Sequence, residues 1–587
     1  MRKIVILAFA LACVLSVKAE FVRQDVAARY AQKAMGMSVQ PQADDATTLR
    51  AASRDGKETL PRFYVFNNPH GGWMIISADD RICPVLAYSD NGQFQSTDMP
   101  ENLEWWIDGV ERSVDVIRNS DYKASAQVVA AWKSQPVMDG ATGRKVLETA
   151  NWDQEEPYNM LCPVAKGENE RSLAGCVATA TAIIMRYNKW PAHGKGVIGG
   201  YTTGGGTYIP AYSLNSHTYN WDDMPLSDCP THLSDWTEEQ LIQVAQLLHD
   251  CGVMSVMDYS AKFSGAFEVY TKDGMVKNMS YSSESIRLLY KSNYDADKWL
   301  ALMKKEIDED RAIFYGGESE TNDGHAFVCD GYDDTGKLHF NWGWGGRSNG
   351  FFAVDLGDYP LMDFNEYQDA IIGICPDNVH IEQTEQELFY LRPNRTGRYG
   401  LRPNTDAKGL TVGSRFTFTV GEFVTSSVDK RSYEFKICLF DKDGNIKQEG
   451  WNLKADIEPT TVDLTTQYDV LTVTPELGDA FIFCMKQPDG SWTKVKGSRD
   501  AVPDQEYVSC GVIYNPVILL PDDYSVGQTV DLKLSLCIRP VKSVRWSVNG
   551  QASDGRLRLE SGKTRIRADV TYVDDSHGYI LRTVDLE

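Results

Sequence analysis

Apolar residues in "FVRQDVAARYAQKAM" fall at Val22, Val26, Tyr30 and Ala34, one face at the helical period, so the spacing predicts an amphipathic helix. "FYVFNN" and "GWMIISAD" follow as aromatic and β-branched runs, joined by the turn-forming Asn68-Pro69-His70-Gly71-Gly72, which predicts two paired strands. "NLEWWIDGVERSVDVIRNS" predicts a second helix. The next stretch, "DYKASAQVVAAWKSQPVMDGATGRK" (121–145), lacks a sustained period. It reads as an exposed linker, where proteolysis concentrates.

From about 146 to 378 the texture is aromatic and glycine-rich, with two clear helices. One is the apolar run after Cys176. The other is "TEEQLIQVAQLLHDCG", where Thr237 and Gln240 form a capping box and Gly252 suits the C-terminal position. Glycine clusters at "GGYTTGGGTY", "YGGESETNDG" and "NWGWGGRSNGFF" suit either simple turns or close approach to an extended ligand. Beyond about 380 the pattern changes to short alternating strands, among them "RFTFTV", "SYEFKICLF", "DAFIFCM" and "TRIRADVTYV", which predicts one or two β-sandwich domains, 379–515 and 516–587. "DKDGN" at 441–445 opens like a calcium loop, but position twelve is Asn452 rather than Glu. A hairpin turn is the better reading.

The chain opens "MRKIVILAFALACVLSVKAE": basic residues, an apolar run too short to span a bilayer, then Val17-Lys18-Ala19. This predicts a secretory signal over 1–19, and a secreted product that is extracellular or on the cell surface, with the periplasm in transit. Cys13 as a lipidated cysteine fits less well, because Ala10-Leu11-Ala12 is a poor lipobox. No later segment is long and apolar enough to cross a membrane. With 59 basic against 82 acidic residues the net charge is −23, which argues against a nucleic-acid partner. Of twelve cysteines, removing Cys13 leaves an odd number, widely spaced and without CxxC clusters, so neither a zinc site nor a disulfide framework is indicated. Cys438, Cys484 and Cys537 sit in strand-like runs and read as buried thiols.

In "RSLAGCVATATAIIMRYNKW" Cys176 follows Ala174 and Gly175 and begins a helix-forming run. A sulfur there meets unpaired backbone N–H groups and the positive end of the helix dipole, both favouring thiolate, and the Cys176 N–H could serve a developing oxyanion. A core cysteine starting a helix is an equally good reading of this stretch alone. His325 stands out as a partner in "NDGHAFVCDGYDDTGKLHFNWGWGG", where "DDTG" turns a strand back on itself and brings His325 and Asn341 into one hairpin. A four-residue loop places Val328 opposite Asn341, and a bulge would shift that. An amide beside the imidazole would orient its ring, as in a Cys-His-Asn group; a hydrogen-bonded strand-end histidine and a turn asparagine are an equally good reading of the spacing alone.

"WDQEEPYNMLCP", "GCVATATAIIMRYNKWP", "GHAFVCDGY" and "NWGWGG", in this order, resemble the streptopain family of cysteine peptidases (peptidase family C10), a papain-like group of secreted bacterial enzymes. The resemblance extends from about residue 20 to 378, including a propeptide-like "GWMIISADDRICPVLAYSDNG", and is greatest to larger members with extra C-terminal β domains. It implies an α+β fold: an inhibitory propeptide over 20–145, a two-lobed papain-like domain over 146–378, and β domains beyond. It implies Cys176 as nucleophile, His325 as imidazolium, Asn341, sixteen residues on, as orienting amide, and Gln154 as oxyanion-hole donor. Gly175, Gly324, Trp342 and Trp344 are expected along the substrate groove, the tryptophans either shielding the His-Asn contact from water or, equally well, serving as aromatic core. Cys329, by strand parity on the face of His325, is taken as structural. "AGCVATA" departs from the CGSCW of papain itself, excluding close papain kinship. The expected activity is endopeptidase cleavage of protein and peptide substrates, host proteins among the candidates, with the chain's own propeptide as inhibitor and release by self-cleavage between about 125 and 150. No cofactor or metal is required. The competing classes are another Cys-His hydrolase or transferase, such as a cell-wall amidase or transglutaminase, and a non-catalytic adhesin or inhibitor.

Overall fold

The computed structural model describes residues 21–35, 40–41, 60–134 (less 97–98), 143–381 (less 230–235, 292–293, 295, 319–323, 357–360 and 362–367) and most of 389–586. The signal-like segment with Cys13, the linker centre 135–142 and Cys537 lie outside the described residues. The chain forms two compact units, 1–382 and 383–587.

In the first unit the apolar period builds α1 (Gln24–Ala34), which buries Ala27, Tyr30, Ala31 and Ala34. A two-residue strand β1 (Gln40–Pro41) precedes β2 (Phe63–Asn67), β3 (Trp73–Ser77) and β4 (Val85–Ser89). Their unbroken apolar runs have a physical reason: both faces are covered. Tyr64, Phe66, Met74 and Ile76 pack with α1, while Phe63, Val65, Trp73 and Ile75 join the main core with α2 (Glu101–Arg118).

The expected linker is partly a helix, α3 (Ala126–Ser134). Only Val128 is fully buried in it. Its anchor is Trp132, whose Nε1 donates to the Ile82 carbonyl at 2.9 Å and whose ring meets Tyr30 edge-on at 5.5 Å. A short helix held by one aromatic leaves no apolar period to read.

Beyond it come β5 (Lys145–Val146), α4 (Cys176–Asn188), α5 (Glu238–Met254), α6 (Glu268–Met279), β6 (Arg287–Tyr290) and α7 (Ala296–Asp308). β7 (Ile313–Glu318), β8 (Gly324–Tyr332), β9 (Leu338–Asn341), β10 (Gly350–Phe352) and β11 (Gln368–Ile372) follow. One 11-stranded sheet runs β1-β2-β3-β4-β10-β9-β8-β7-β11-β6, with β5 added on β8. The N-terminal strands are therefore continuous with those that carry His325 and Asn341.

α4 is buried at every position from Cys176 to Arg186, the all-round apolar character of a central helix. α5 has the predicted capping box at Thr237 and Gln240. Gly252 does not end it: the helix continues to Met254, and a side chain on Gly252 would strike the Tyr259 hydroxyl. That glycine is a packing requirement.

The second unit is β-rich. β12 (Arg431–Phe440) and β13 (Ala480–Lys486) form the middle of a six-stranded sheet. β14 (Val541–Val548), β15 (Gly562–Tyr572) and β16 (His577–Leu586) belong to a four-stranded one. "DKDGN" is a hairpin turn closed by Asp441 Oδ1, which accepts from the Asp443 and Asn445 N–H groups at 2.9 and 2.8 Å. Cys438 and Cys484 are buried free thiols. The α+β class stands, with helices confined to the first unit among the described residues.

Candidate active site

Gly175 ends the loop into α4 at φ +91° and ψ 144°, and Cys176 is the first helical residue. A Cβ on Gly175 would lie 2.7 Å from the Ser264 carbonyl oxygen and 2.9 Å from Met257 Cε. Backbone conformation and crowding both exclude a side chain there. The Cys176 sulfur lies at the helix start, where the backbone N–H groups of Ala326, the neighbour of His325, and of Val177 favour its ionised form. Those bonds and the helix terminus favour thiolate, but burial outweighs them: the Cys176 thiol is pushed up to about 11.

His325 is the second residue of β8, opposite Gly317 on β7. Cys176, His325, Gln154 and Trp344 line one cavity with Leu173, Phe263 and Ser264. Gln154 is buried, and its backbone carbonyl accepts from the Ala174 N–H at 3.0 Å, tying it to the loop before Cys176. Glu101 and Asn102, from the first turn of α2, complete the lining. Trp105, one turn further, holds its ring 6.1 Å from that of His325, and Phe263 stands edge-on to the imidazole at 6.3 Å. The cavity left among them is about 10 Å³, no more than one water needs.

The other expected residues are placed differently. β8 and β9 pair with Val328 opposite Asn341, because a turn one residue longer than "DDTG", with Tyr332 opposite Leu338, is offset by a bulge between Cys329 and Gly331; this leaves Asn341 three positions, roughly 10 Å, along the strand from His325. Its amide Nδ2 donates to Thr149 Oγ1 at 3.0 Å and the Ala150 carbonyl at 2.9 Å, and its Oδ1 accepts from the Gly343 N–H at 3.2 Å. Trp342 is fully buried among Phe327, Phe340 and Phe352, with centroids 4.7, 5.3 and 4.8 Å away. It is core, whereas Trp344 is in the cavity wall. Gly324, adjacent to His325, opens β8 opposite Glu318. Cys329 is buried, and its thiol is pushed well above its ordinary value by that burial.

Glu101, Asn102, Trp105, Phe263 and Thr149 were not legible as site residues. Nothing in "NLEWWIDG" says on what its first turn rests. Asn102 reaches across, its Nδ2 donating to the Trp342 carbonyl at 2.8 Å. Among the described residues no group of three or more His, Cys, Asp or Glu side chains is arranged to hold a metal, and no helix is long and apolar enough to cross a membrane.

Residues 152–352 match the model of the peptidase C10 family, and residues 19–114 match that of the Spi protease inhibitor. The thiol protease/hemagglutinin PrtT of Porphyromonas gingivalis is 30% identical over 379 residues, which cover 62% of this chain and 41% of that protein. Streptopain of Streptococcus pyogenes is 28% identical over 378 residues, covering 60% of this chain and 90% of the relative. Among solved structures, a fragment of prointerpain A from Prevotella intermedia is 26% identical, covers 57% of this chain and 98% of its own, and superposes with a TM-score of 0.44. The chain thus spans about two fifths of PrtT and nine tenths of streptopain.

Proposed function

We propose that this chain, whose residues 152–352 match the peptidase C10 family and whose residues 19–114 match the Spi protease inhibitor, is a secreted cysteine endopeptidase made as a latent precursor. The observation that carries the reading is the shared cavity of Cys176, His325 and Gln154, filled by the first turn of α2. A helix N-terminus, an imidazole and two oxyanion donors are what acyl transfer to sulfur needs. The plug accounts for the lack of room for a peptide.

In the open enzyme, imidazolium His325 beside Cys176 lowers the thiol from its buried value and stabilises the thiolate. The thiolate attacks a peptide carbonyl, and the oxyanion is held by the Cys176 N–H and the Gln154 side-chain amide. His325 protonates the leaving amine. Neutral His325 then takes a proton from water, which attacks the thioester and releases the acid and the free thiol. Asn341 would orient the imidazole once the α2 turn has withdrawn. Residues 20–145 act as the inhibitor, and protein chains are the substrates.

Incubating purified precursor and its Cys176→Ala variant under reducing conditions tests this. Wild type is expected to shorten and then cleave casein, while the variant does neither. Equal shortening of both refutes self-processing, and no cleavage of any protein by processed wild type refutes the peptidase reading. Isopeptide formation without cleavage would indicate a transferase.

A further inference from the structure

We propose that Thr149 and Asp330 are positioning residues that fix the polarity of the Asn341 amide, and so decide which of its atoms is presented to the imidazole when the site opens. The inference rests on the peptidase reading above. What carries it is a chain of buried and half-buried hydrogen bonds that the reading did not need.

Asn341 Nδ2 has two oxygen partners, the Ala150 carbonyl at 2.9 Å and Thr149 Oγ1 at 3.0 Å. A carbonyl can only accept. A threonine hydroxyl can do either, but this one donates to Asp330 Oδ2 at 2.5 Å, so its proton is committed and its lone pair faces the amide. Asp330 is held in turn: its other oxygen meets His339 Nδ1 at 2.5 Å, and its backbone carbonyl accepts from the Leu147 N–H at 2.8 Å. Rotating the Asn341 amide by half a turn would set its oxygen against two acceptors with no proton between, in a site where Asp330 is 2% and Asn341 1% exposed. Unmade bonds cost most in such a place. The oxygen is therefore turned the other way, to the Gly343 N–H, on the segment that continues to Trp344 in the cavity wall.

The fold makes a special provision for Asp330. β8 and β9 pair through Cys329 opposite Phe340, then resume with Gly331 opposite His339, so Asp330 is the extra residue of a β-bulge. Bulges re-aim a side chain beside functional sites. Here the bulge restores the Val328–Asn341 register and frees the carboxylate to reach Thr149. β5 locks the arrangement from outside, Val146 pairing with Gly331.

The chemistry gives this polarity a purpose. A charged imidazole offers N–H groups, so only the amide oxygen can hold it, and a flipped amide would oppose donor to donor. Because Thr149 belongs to the relay, it has to remain on the mature enzyme, so processing falls N-terminal to it.

The test compares processed wild type, Thr149→Val and Thr149→Ser, with active sites titrated by a thiol-directed epoxide so that rates refer to folded enzyme. Thr149→Val, which keeps the shape and loses the oxygen, should lower kcat by about tenfold to a hundredfold with KM within about threefold, the signature of a misplaced catalytic group. Thr149→Ser should restore kcat to within about threefold. Asp330→Asn, which releases the Thr149 proton from its carboxylate, provides the second route if the valine variant does not fold, with the same kcat loss expected. Unchanged kcat per titrated site in Thr149→Val or Asp330→Asn, with only thermal stability lowered, overturns the proposal, as does a serine variant no better than valine. If processed wild type itself cleaves nothing, it is the peptidase reading that falls.

Discussion

At the scale of single residues, Cys176 shows how burial and helix position compete. The helix terminus and the Ala326 N–H favour the thiolate, yet burial pushes the thiol up to about 11 in a cavity whose lining includes the first turn of α2. In the intact precursor the neutral thiol predominates near neutral pH. Alkylation of Cys176 by iodoacetamide should therefore climb with pH throughout the alkaline range in the precursor. After processing it should be faster by about two orders of magnitude near neutrality, as for other thiolates paired with imidazolium. Equal rates at pH 7 would show that the N-terminal region does not control the thiol. Gly175 gives a second expectation. Alanine there adds about 1–3 kcal/mol of backbone strain and sets its Cβ against the Ser264 carbonyl. Since Cys176 is the next residue, Gly175→Ala should lose activity and Tm together, read by peptide cleavage and calorimetry.

Elements were legible where burial left a period. α1, the β2–β3 pair, α4 and the capped start of α5 each follow from residues that a core claims, whereas Val328 stands opposite Asn341 only because the bulge at Asp330 offsets a turn one residue longer than "DDTG". α3 was not legible, because Trp132 alone anchors it. Nor was the distance between His325 and Asn341, because spacing along a hairpin does not say which way an amide turns, and Thr149, its partner, lies 192 residues away. α5 carries a pH-dependent contact of the same illegible kind. Its buried Asp250 accepts from His217 Nδ1 at 2.8 Å and from the Tyr212 and Tyr219 hydroxyls at 2.8 and 2.7 Å. The hydrogen bond to Asp250 raises the His217 imidazole above its ordinary value against the opposing effect of burial. A raised folded-state value means stability that is complete below about pH 6.5 and is lost as pH rises through the folded-state value. His217→Ala should thus lower Tm more at pH 5.5 than at pH 8.5, and a loss that is the same at both would exclude the ion pair as its source.

For the whole first unit, the continuous sheet changes what activation requires. A lid on a hinge would open when its linker is cut. Here β4 is hydrogen-bonded to β10, with Tyr88 opposite Phe351 and Ala87 opposite Phe352, and the rings of Tyr88 and Phe351 stack at 4.9 Å. Around this seam the Tyr88 hydroxyl donates to Asp333 at 3.1 Å, Trp106 Nε1 to the Ala353 carbonyl at 2.9 Å and Asn102 to the Trp342 carbonyl. Arg144 adds an ion pair to Asp90. None of these bonds is covalent, and none is broken by hydrolysis of a peptide between 134 and 145. Cleavage and activation should consequently be separate events. Freshly nicked protein is expected to elute as one species on gel filtration, with the N-terminal fragment bound and activity still low. Activity should appear only as that fragment dissociates or is digested. Tyr88→Ala together with Trp106→Phe, which weaken the seam without touching the cleft, should shorten the interval between nicking and activity. If activity instead rises in step with the cut and the variants leave the interval unchanged, the sheet is not what keeps the enzyme latent.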